Sequence, residues 1–312
     1  MILTVTPNTT VDLTLFVNGF VKDRTMRTTS NVYSMGGKPT DASWILGEIG
    51  IPSLAIGFAA GSIGEKIKSM LTARGVQTDF IPVGGESRIN TVIVDTADHT
   101  MSTITTSTLL IQPAHMDALL QRYERALKDA SCVVTGGTLP RDVPPSIYTT
   151  YIALAKQHKV PVIFDAQGDN LAAGLLSQPD FVKPNRYELA GLVGYDINTL
   201  EDAYRAGCTL VERYHTTPII TLDSDGALAV LSDRAYYLPP IKVDVVSAAG
   251  AGDAMLAGLA ASLDRHQPIE EGLRLGVAAA TAVLLMPGTA DCRRADVERF
   301  LPQVKILPYP LS

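Results

Sequence analysis

Along the chain, short β-branched runs alternate with amphipathic stretches, joined by turns that carry Gly, Pro or Asp. Cys132-Val133-Val134 precedes the helical pattern of Ser146 to Gln157, and Val162-Ile163-Phe164 runs into a Gly-containing turn. Ile2 to Val5, Ser53 to Gly57 and Pro218 to Leu222 read as further strands. Strands that alternate with helices imply βαβ units, because parallel neighbours need a crossover and the helix supplies it. The pattern predicts an α/β fold with a mainly parallel central sheet flanked by helices.

Two regions break the rhythm. Val11 to Val32 and Arg88 to Thr106 are rich in Thr, Val and Ile and have no helical period, so they read as antiparallel strands. They interrupt the α/β pattern without a linker of their own. The expectation is therefore one domain over residues 1–312, with a small sheet projecting from it from about 11–32 and 88–106. Such a sheet could serve as a lid over a site or as a dimer interface.

Composition narrows the partners. With 46% hydrophobic and 19% charged residues the chain suits a globular protein, and a net charge of -6 leaves no basic footprint for nucleic acid. Met1 to Thr6 has no basic flank, and Asp12 interrupts before a signal-peptide core is complete. The most apolar stretch, Val277 to Met286, is about half the ~20 residues of a membrane span and reads as a buried helix. Cys132, Cys208 and Cys292 are odd in number and lack metal-ligand spacing, which suits a reducing compartment. These features predict a cytoplasmic protein without a membrane or nucleic-acid partner.

The most informative segment runs from Val243 to Ala260. Val243 to Val246 reads as a strand, Ser247 to Gly252 as a small-residue turn, and a helix opens at or just after Asp253. Backbone N–H groups in such a turn are unobstructed and lie at the positive end of the helix dipole, a ready anion site. A carboxylate there could accept a proton from a hydroxyl attacking a phosphoryl group. Asp253 could equally be an N-cap, and the local pattern supports both readings.

Motifs across the chain resemble the ribokinase-like, or phosphofructokinase-B, family of carbohydrate kinases. Gly250-Ala251-Gly252-Asp253 is similar to its C-terminal signature, and Gly36-Gly37-Lys38 to the start of its N-terminal one. Ile2 to Asn8 with Asp12, and Arg88-Ile89-Asn90, resemble the 1-phosphofructokinase and tagatose-6-phosphate kinase branch. Gly136 to Pro140 matches in part, Lys183 to Leu189 matches Lys-Pro-Asn-x-x-Glu-Leu, and Asp225-Gly226-Ala227-Leu228 resembles a hairpin near the nucleotide.

The resemblance implies a three-layer αβα kinase with a β lid, which uses ATP and Mg²⁺ on a small sugar or sugar phosphate and pairs through its lid as a homodimer. It implies that Asp253 is the base and that the Gly250, Ala251 and Gly252 amides form an anion hole. Substrate contacts would come from Asp12, Gly36, Gly37, Lys38, Asp41, Arg88 and Asn90, with Lys38 and Arg88 on the substrate phosphate. Nucleotide contacts would come from Lys183, Asn185, Thr221, Asp223, Gly226 and Ser247. Asn185 and Glu188 would organise Mg²⁺ through water. On the residues alone, Asn185 and Glu188 also read as a helix-capping pair, Asp12 as a turn residue, and Lys38 and Arg88 as solvated charges.

The chain also departs from the pattern. Where the signature continues Gly-Gly-Lys-Gly-x-Asn, it has Lys38-Pro39-Thr40-Asp41. Pro39 lacks an amide donor, and Asp41 brings an acid where the pattern has a neutral amide. Ala248 stands where Thr is common, and Asp223 replaces a glycine. The strand at Met101 to Thr106 lacks the Asn and Gly-Pro of the 1-phosphofructokinase branch. These changes leave a kinase of an unphosphorylated sugar or nucleoside, or a non-catalytic sugar or nucleotide sensor, as alternatives. No Gly-x-Gly-x-x-Gly follows the first strand, and neither a P-loop nor a hydrolase signature occurs.

Overall fold

The computed structural model describes residues 1–98 and 100–310. Its first half opens with β1 (Ile2–Thr6), then β2 (Thr10–Val17), β3 (Ser30–Gly36), α1 (Lys38–Glu48), β4 (Ser53–Ala59), α2 (Gly61–Ala73) and β5 (Gln77–Pro82). A short pair, β6 (Gly84–Gly85) and β9 (Leu109–Leu110), brackets β7 (Arg88–Asp95) and β8 (Thr100–Ile104). The helical layers continue with α3 (Pro113–Leu127), α4 (Ser146–Gln157), α5 (Gly168–Leu175), α6 (Arg186–Val193) and α7 (Leu200–Tyr214). Between them lie β10 (Cys132–Gly136), β11 (Val162–Asp165) and β12 (Phe181–Val182). The last part holds β13 (Thr217–Thr221), β14 (Ala227–Val230), β15 (Ala235–Leu238), α8 (Asp253–Asp264), α9 (Ile269–Val283), α10 (Arg294–Phe300) and β16 (Leu307–Tyr309).

Ten strands form the main sheet in the order β16-β15-β14-β13-β12-β11-β10-β1-β4-β5. From β13 to β5 every neighbour is parallel, and β14, β15 and β16 add an antiparallel edge. The parallel strands read as near-continuous apolar runs because helices cover both faces. Leu3, Val5, Val133 and Phe164 pack under α3, α4, α5 and α7 on one face. Ile2, Cys132, Val134 and Ile163 pack under α1, α8 and α9 on the other. Of the expected helix at Val277 to Met286, Val277 to Val283 form the second half of α9 and are largely buried, while Leu284 to Met286 lie past its end.

Chain order reverses at β1, with β4 and β5 to one side and β10 to β13 to the other. In open α/β sheets, a crevice forms at the carboxyl ends of strands at such a switch point, because the crossovers diverge there.

The strand-rich regions form a separate four-stranded sheet in the order β3-β2-β7-β8. The expectation of purely antiparallel strands needs correction. The β2–β3 and β7–β8 hairpins are antiparallel, but β2 and β7 pair in parallel over eight residues, Thr10↔Arg88 to Val17↔Asp95. Each hairpin leaves the main sheet in the same direction, so their first strands meet side by side. The expected strand at Val243 to Val246 is also absent. Pro239 and Pro240 end β15, Val245 and Val246 are exposed, Val243 packs against the core, and the Val246 and Ser247 amides donate to Leu284 O.

Among the described residues, no helix is long and apolar enough to cross a membrane.

Candidate active site

A cavity of about 350 Å³ lies at the β1/β10 switch point, beneath the small sheet. The ends of β1 and β10 supply Thr6, Asn8 and Gly136 to Thr138, the small sheet supplies Asp12, Arg88 and Asn90, and α1 supplies Lys38 and Asp41. Ala248, Ala249, Gly250 and Asp253 close the fourth side.

Asp253 begins α8 and is 9% exposed. The preceding turn needs Gly250 at φ +78°, and a Cβ there would come within 2.3 Å of the Ala290 nitrogen. Ala251 N–H closes a turn on Ala248 O, while among the described residues the Gly250 and Gly252 amides donate to no protein acceptor. Two free N–H groups beside an acid at a helix start suit an anion, whereas the Ala251 amide of the expected anion hole is spent on Ala248 O. The Asp253 side chain caps nothing, so the N-cap alternative fails.

Burial, followed by the Asp165 charge, pushes Asp253 up to about 7; Lys183, Lys38 and a hydrogen bond with Asp41 hold it down. Asp165 is fully buried at the end of β11 and bridges two lysines, touching Lys38 Nζ with Oδ1 and Lys183 Nζ at 2.8 Å with Oδ2. Lys38 also reaches Glu188 Oε1 at 3.1 Å. Burial acts to lower the Lys38 pKa, but Asp165, Glu188 and Asp253 outweigh it and keep the ammonium charged. The sequence reading had missed Asp165. The available signal was an acid at the carboxyl end of a parallel strand, a favoured site position in open sheets.

At the opposite wall, Arg88 is 7% exposed and donates to Thr138 Oγ1 at 2.9 Å and more weakly to Asn8 O and Thr106 O. Its Nε and the Oδ1 atoms of Asn8 and Asn90 are buried without partners. Such orphans crowded round one cavity are the mark of a site that a polar ligand completes. Asp12 accepts from Asn90 Nδ2 at 2.9 Å. Burial raises the Asp12 pKa, opposed by the neighbouring Thr289 side chain, by the hydrogen bond from Asn90 and by the Arg88 charge. Gly36 is a glycine for space, since a Cβ would lie 2.3 Å from Asp12 Oδ1. Asn8 and Thr138 were absent from the predicted site, although both lie in motifs that carry the resemblance.

The geometry corrects the pairing of Lys38 with Arg88. Lys38 is committed to Asp165 and Glu188 beside Asp253, while Arg88 sits with Asn8 and Thr138, so the cations serve different parts of the cavity. Asn185 and Glu188 form a capping box at the start of α6: Asn185 Oδ1 accepts from the Tyr187 and Glu188 amides, and Glu188 Oε2 from the Asn185 amide at 2.9 Å. With these oxygens partnered, the pair does not fit Mg²⁺ as direct ligands; spare lone pairs fit water ligands of the ion. Among the described residues, no group of three or more His, Cys, Asp and Glu could hold a metal. Pro39 lies in the first turn of α1, where its missing N–H would have no helical partner anyway.

The expected nucleotide residues lie along the same sheet edge. Thr221 ends β13 and bridges to Asn185, Ser247 is buried, and Lys183 Nζ would be 3.4 Å from a Cβ on Gly252. Asp223, which stands where the similar pattern has glycine, has a left-handed backbone at φ +54°, and its side chain pairs with Arg186 at 3.1 Å. Gly226, at φ +85°, ends that turn.

Residues 3–296 match the pfkB family carbohydrate kinase profile. The 1-phosphofructokinase of Bacillus subtilis (strain 168) is 32% identical over 308 residues, covering 98% of this chain and 99% of the relative. The D-tagatose-1-phosphate kinase of Bacillus licheniformis is 31% identical over 297 residues, 95% of this chain and 96% of the relative. Among solved structures, phosphofructokinase-2 from Escherichia coli in complex with substrates and products is similar at a TM-score of 0.87 and 25% identity, covering 97% of this chain and 98% of that one. With family match, full-length relatives and a shared ribokinase-like fold in agreement, the chain belongs to the pfkB family and is an ATP-dependent carbohydrate kinase.

Proposed function

We propose that this kinase transfers the γ-phosphoryl group of ATP to a hydroxyl of a ketohexose phosphate, with Asp253 as the general base. One observation carries the reading: a single cavity holds Asp253 at one wall and the buried cation Arg88 at the other. Arg88, with Asn8 and Thr138, takes the phosphate already on the sugar; Asp12 and Asn90 take its hydroxyls. The names of the relatives, 1-phosphofructokinase and D-tagatose-1-phosphate kinase, support a phosphorylated ketohexose.

In the reaction Asp253 accepts the proton of the attacking hydroxyl as its oxygen bonds to the γ-phosphorus and the bond to the ADP oxygen breaks. Lys38 and Lys183 lie beside the migrating group, and the Gly250 and Gly252 amides point at its charge, fixed before the reaction begins. The nucleotide lies along Thr221, Asp223, Gly226 and Ser247. Mg²⁺, held through water by Glu188 and Asn185, would offset negative charge between the phosphates. We read residues 1–312 as a single kinase domain whose small sheet is the lid. The three free cysteines support a cytoplasmic location.

The outer face of the lid supports a homodimer. Cross-strand register places Tyr33, Leu13, Thr91 and Ile104 in one row and Leu15 and Ile93 in the next, with Tyr33 and Ile104 exposed. A second reading, an uncharged sugar or nucleoside as acceptor, draws on the acids Asp12 and Asp41 in the same cavity.

The test compares kcat/KM for fructose 1-phosphate, fructose 6-phosphate, tagatose 1-phosphate and tagatose 6-phosphate with free fructose and ribose, in wild type and Arg88→Ala. The expected result is preference for a phosphosugar, and a loss of about ten- to a hundredfold on that substrate in Arg88→Ala. A wild type that prefers a free sugar, with Arg88→Ala indifferent, would establish the second reading.

A further inference from the structure

Asp41 sits in the first turn of α1, 2% exposed, on the wall of the active-site cavity. Among the described residues, the charged groups that act on it are acids: Asp253 from the start of α8 and Asp12 from β2. Lys38, one turn away on its own helix, is committed to Asp165 and Glu188, and Lys183 is committed to Asp165. Arg88 is directed at Asn8 and Thr138 and feels the Asp12 charge. Among the described residues, no protein N–H or O–H donates to either Asp41 oxygen, and Oδ1 is wholly out of contact with solvent. A buried carboxylate without a donor or a cation is costly, and the usual resolution is to take up a proton.

Asp41 Oδ1 has no partner, yet the Asp41 and Asp253 carboxyls line the same cavity within reach of a hydrogen bond to each other. Two carboxyls can make that bond only if one of them is protonated. Asp253 has Lys38 and Lys183 to stabilise its anion, and Asp41 has neither. The proton therefore belongs on Asp41.

We propose that Asp41 works as a neutral carboxylic acid that donates its proton to Asp253, orienting the base, and offers its other oxygen to a hydroxyl of the bound sugar. This rests on the reading of Asp253 as the base. During transfer the sugar O–H proton passes to Asp253 while Asp41 keeps its own, so Asp41 takes part in no net proton movement. In this form it presents one donor and one acceptor, as a side-chain amide does, which is how an acid can occupy a position where the similar signature has Asn.

The consequence is a proton that must stay in place. When Asp41 ionises at alkaline pH, the donor to Asp253 is lost and a second anion faces both the base and the incoming phosphoryl group. Activity then falls. An amide at this position supplies the donor and the acceptor without titrating.

The experiment follows kcat/KM against pH, on the best acceptor from the sugar panel, for wild type, Asp41→Asn and Asp41→Ala. Wild type should give a bell. Asp41→Asn, with kcat lowered by up to about tenfold, should keep the acid limb and lose the alkaline one. Asp41→Ala, lacking both donor and acceptor, should raise KM for the sugar about tenfold or more and move the acid limb to higher pH, because Asp253 loses a bond that favours its anion. A wild type with no alkaline limb overturns the proposal without any variant. So does an Asp41→Asn profile with the wild-type alkaline limb, or an Asp41→Ala enzyme with unchanged KM and acid limb. If no compound in the panel yields ADP, it is the kinase reading of the acceptor site that fails; an active enzyme with those unaltered profiles removes only the role of Asp41.

Discussion

At the scale of single residues, the site works through unequal surroundings for similar groups. Asp253 and Asp165 are both buried carboxyls, but Asp165 is held between two lysines while Asp253 faces an open cavity. Burial and the Asp165 charge raise Asp253 to about 7, where a base can take a proton and release it again. The protonated form cannot act as base, so kcat/KM should rise with pH through about 7, well above the range of an exposed aspartate. Asp253→Asn keeps the size and removes the acceptor; kcat should fall by roughly 10²–10⁴ in steady-state assays with ATP affinity little changed. A variant that keeps most of its turnover would show that Asp253 is not the base. The residues that carry this chemistry were legible in sequence where they lie in a compact motif, as Asp253 does with Gly250 and Gly252. Asp165 was not, because its partners Lys38 and Lys183 are far from it in the chain and an acid after Val162-Ile163-Phe164 has no local signature. The capping role of Asn185 and Glu188 was legible from their spacing alone, and it coexists with the bond from Lys38.

At the scale of elements, the site depends on turns that hold groups at strand and helix ends. The Gly250 turn passes close to Ala290, and that contact is with backbone, which cannot swing aside. Gly250→Ala combines a left-handed φ with a Cβ 2.3 Å from the Ala290 nitrogen, so the turn must open. We expect kcat to fall at least about a hundredfold, as for loss of an oxyanion donor, while circular dichroism stays native and Tm drops by roughly 2–8 °C. Normal turnover in this variant would mean that the turn amides take no part in transfer. The same region shows where local pattern misleads. Val243 to Val246 has strand composition, but strand propensity is in large part a preference for a half-buried pleated surface, and after Pro239 and Pro240 the segment finds no partner strand. Composition carried the elements that find partner strands in the main sheet, β1, β4, β10 and β11, and failed where a partner was missing.

At the scale of the whole molecule, the lid is the part least readable from sequence, because its architecture depends on which distant strands meet. Thr and Val richness marked both hairpins, yet nothing local says that β2 will lie parallel to β7, about 78 residues on in the chain. That pairing gives the sheet two unlike faces. Asp12, Asn90 and Val92 look into the cavity, and Leu13, Leu15, Ile93 and Ile104 look away from it. Leu13, Leu15 and Ile93 are only half-buried and Ile104 is exposed, so the outward face is an apolar surface that the chain itself leaves incompletely covered. A second lid is a self-complementary cover, since two-fold contacts bury the same patch twice. Sedimentation velocity at micromolar protein should therefore give the mass of a dimer. Ile93→Lys places a charge at the centre of this face, on the side away from Asn90 and the cavity, and should shift the protein to monomer by weakening association by about 2 kcal/mol or more, some thirtyfold in Kd. Folding is checked by an unchanged circular dichroism spectrum. A wild type that sediments as a monomer, or an Ile93→Lys variant that remains a dimer, would assign the outer face of the lid to something other than a second copy of this chain.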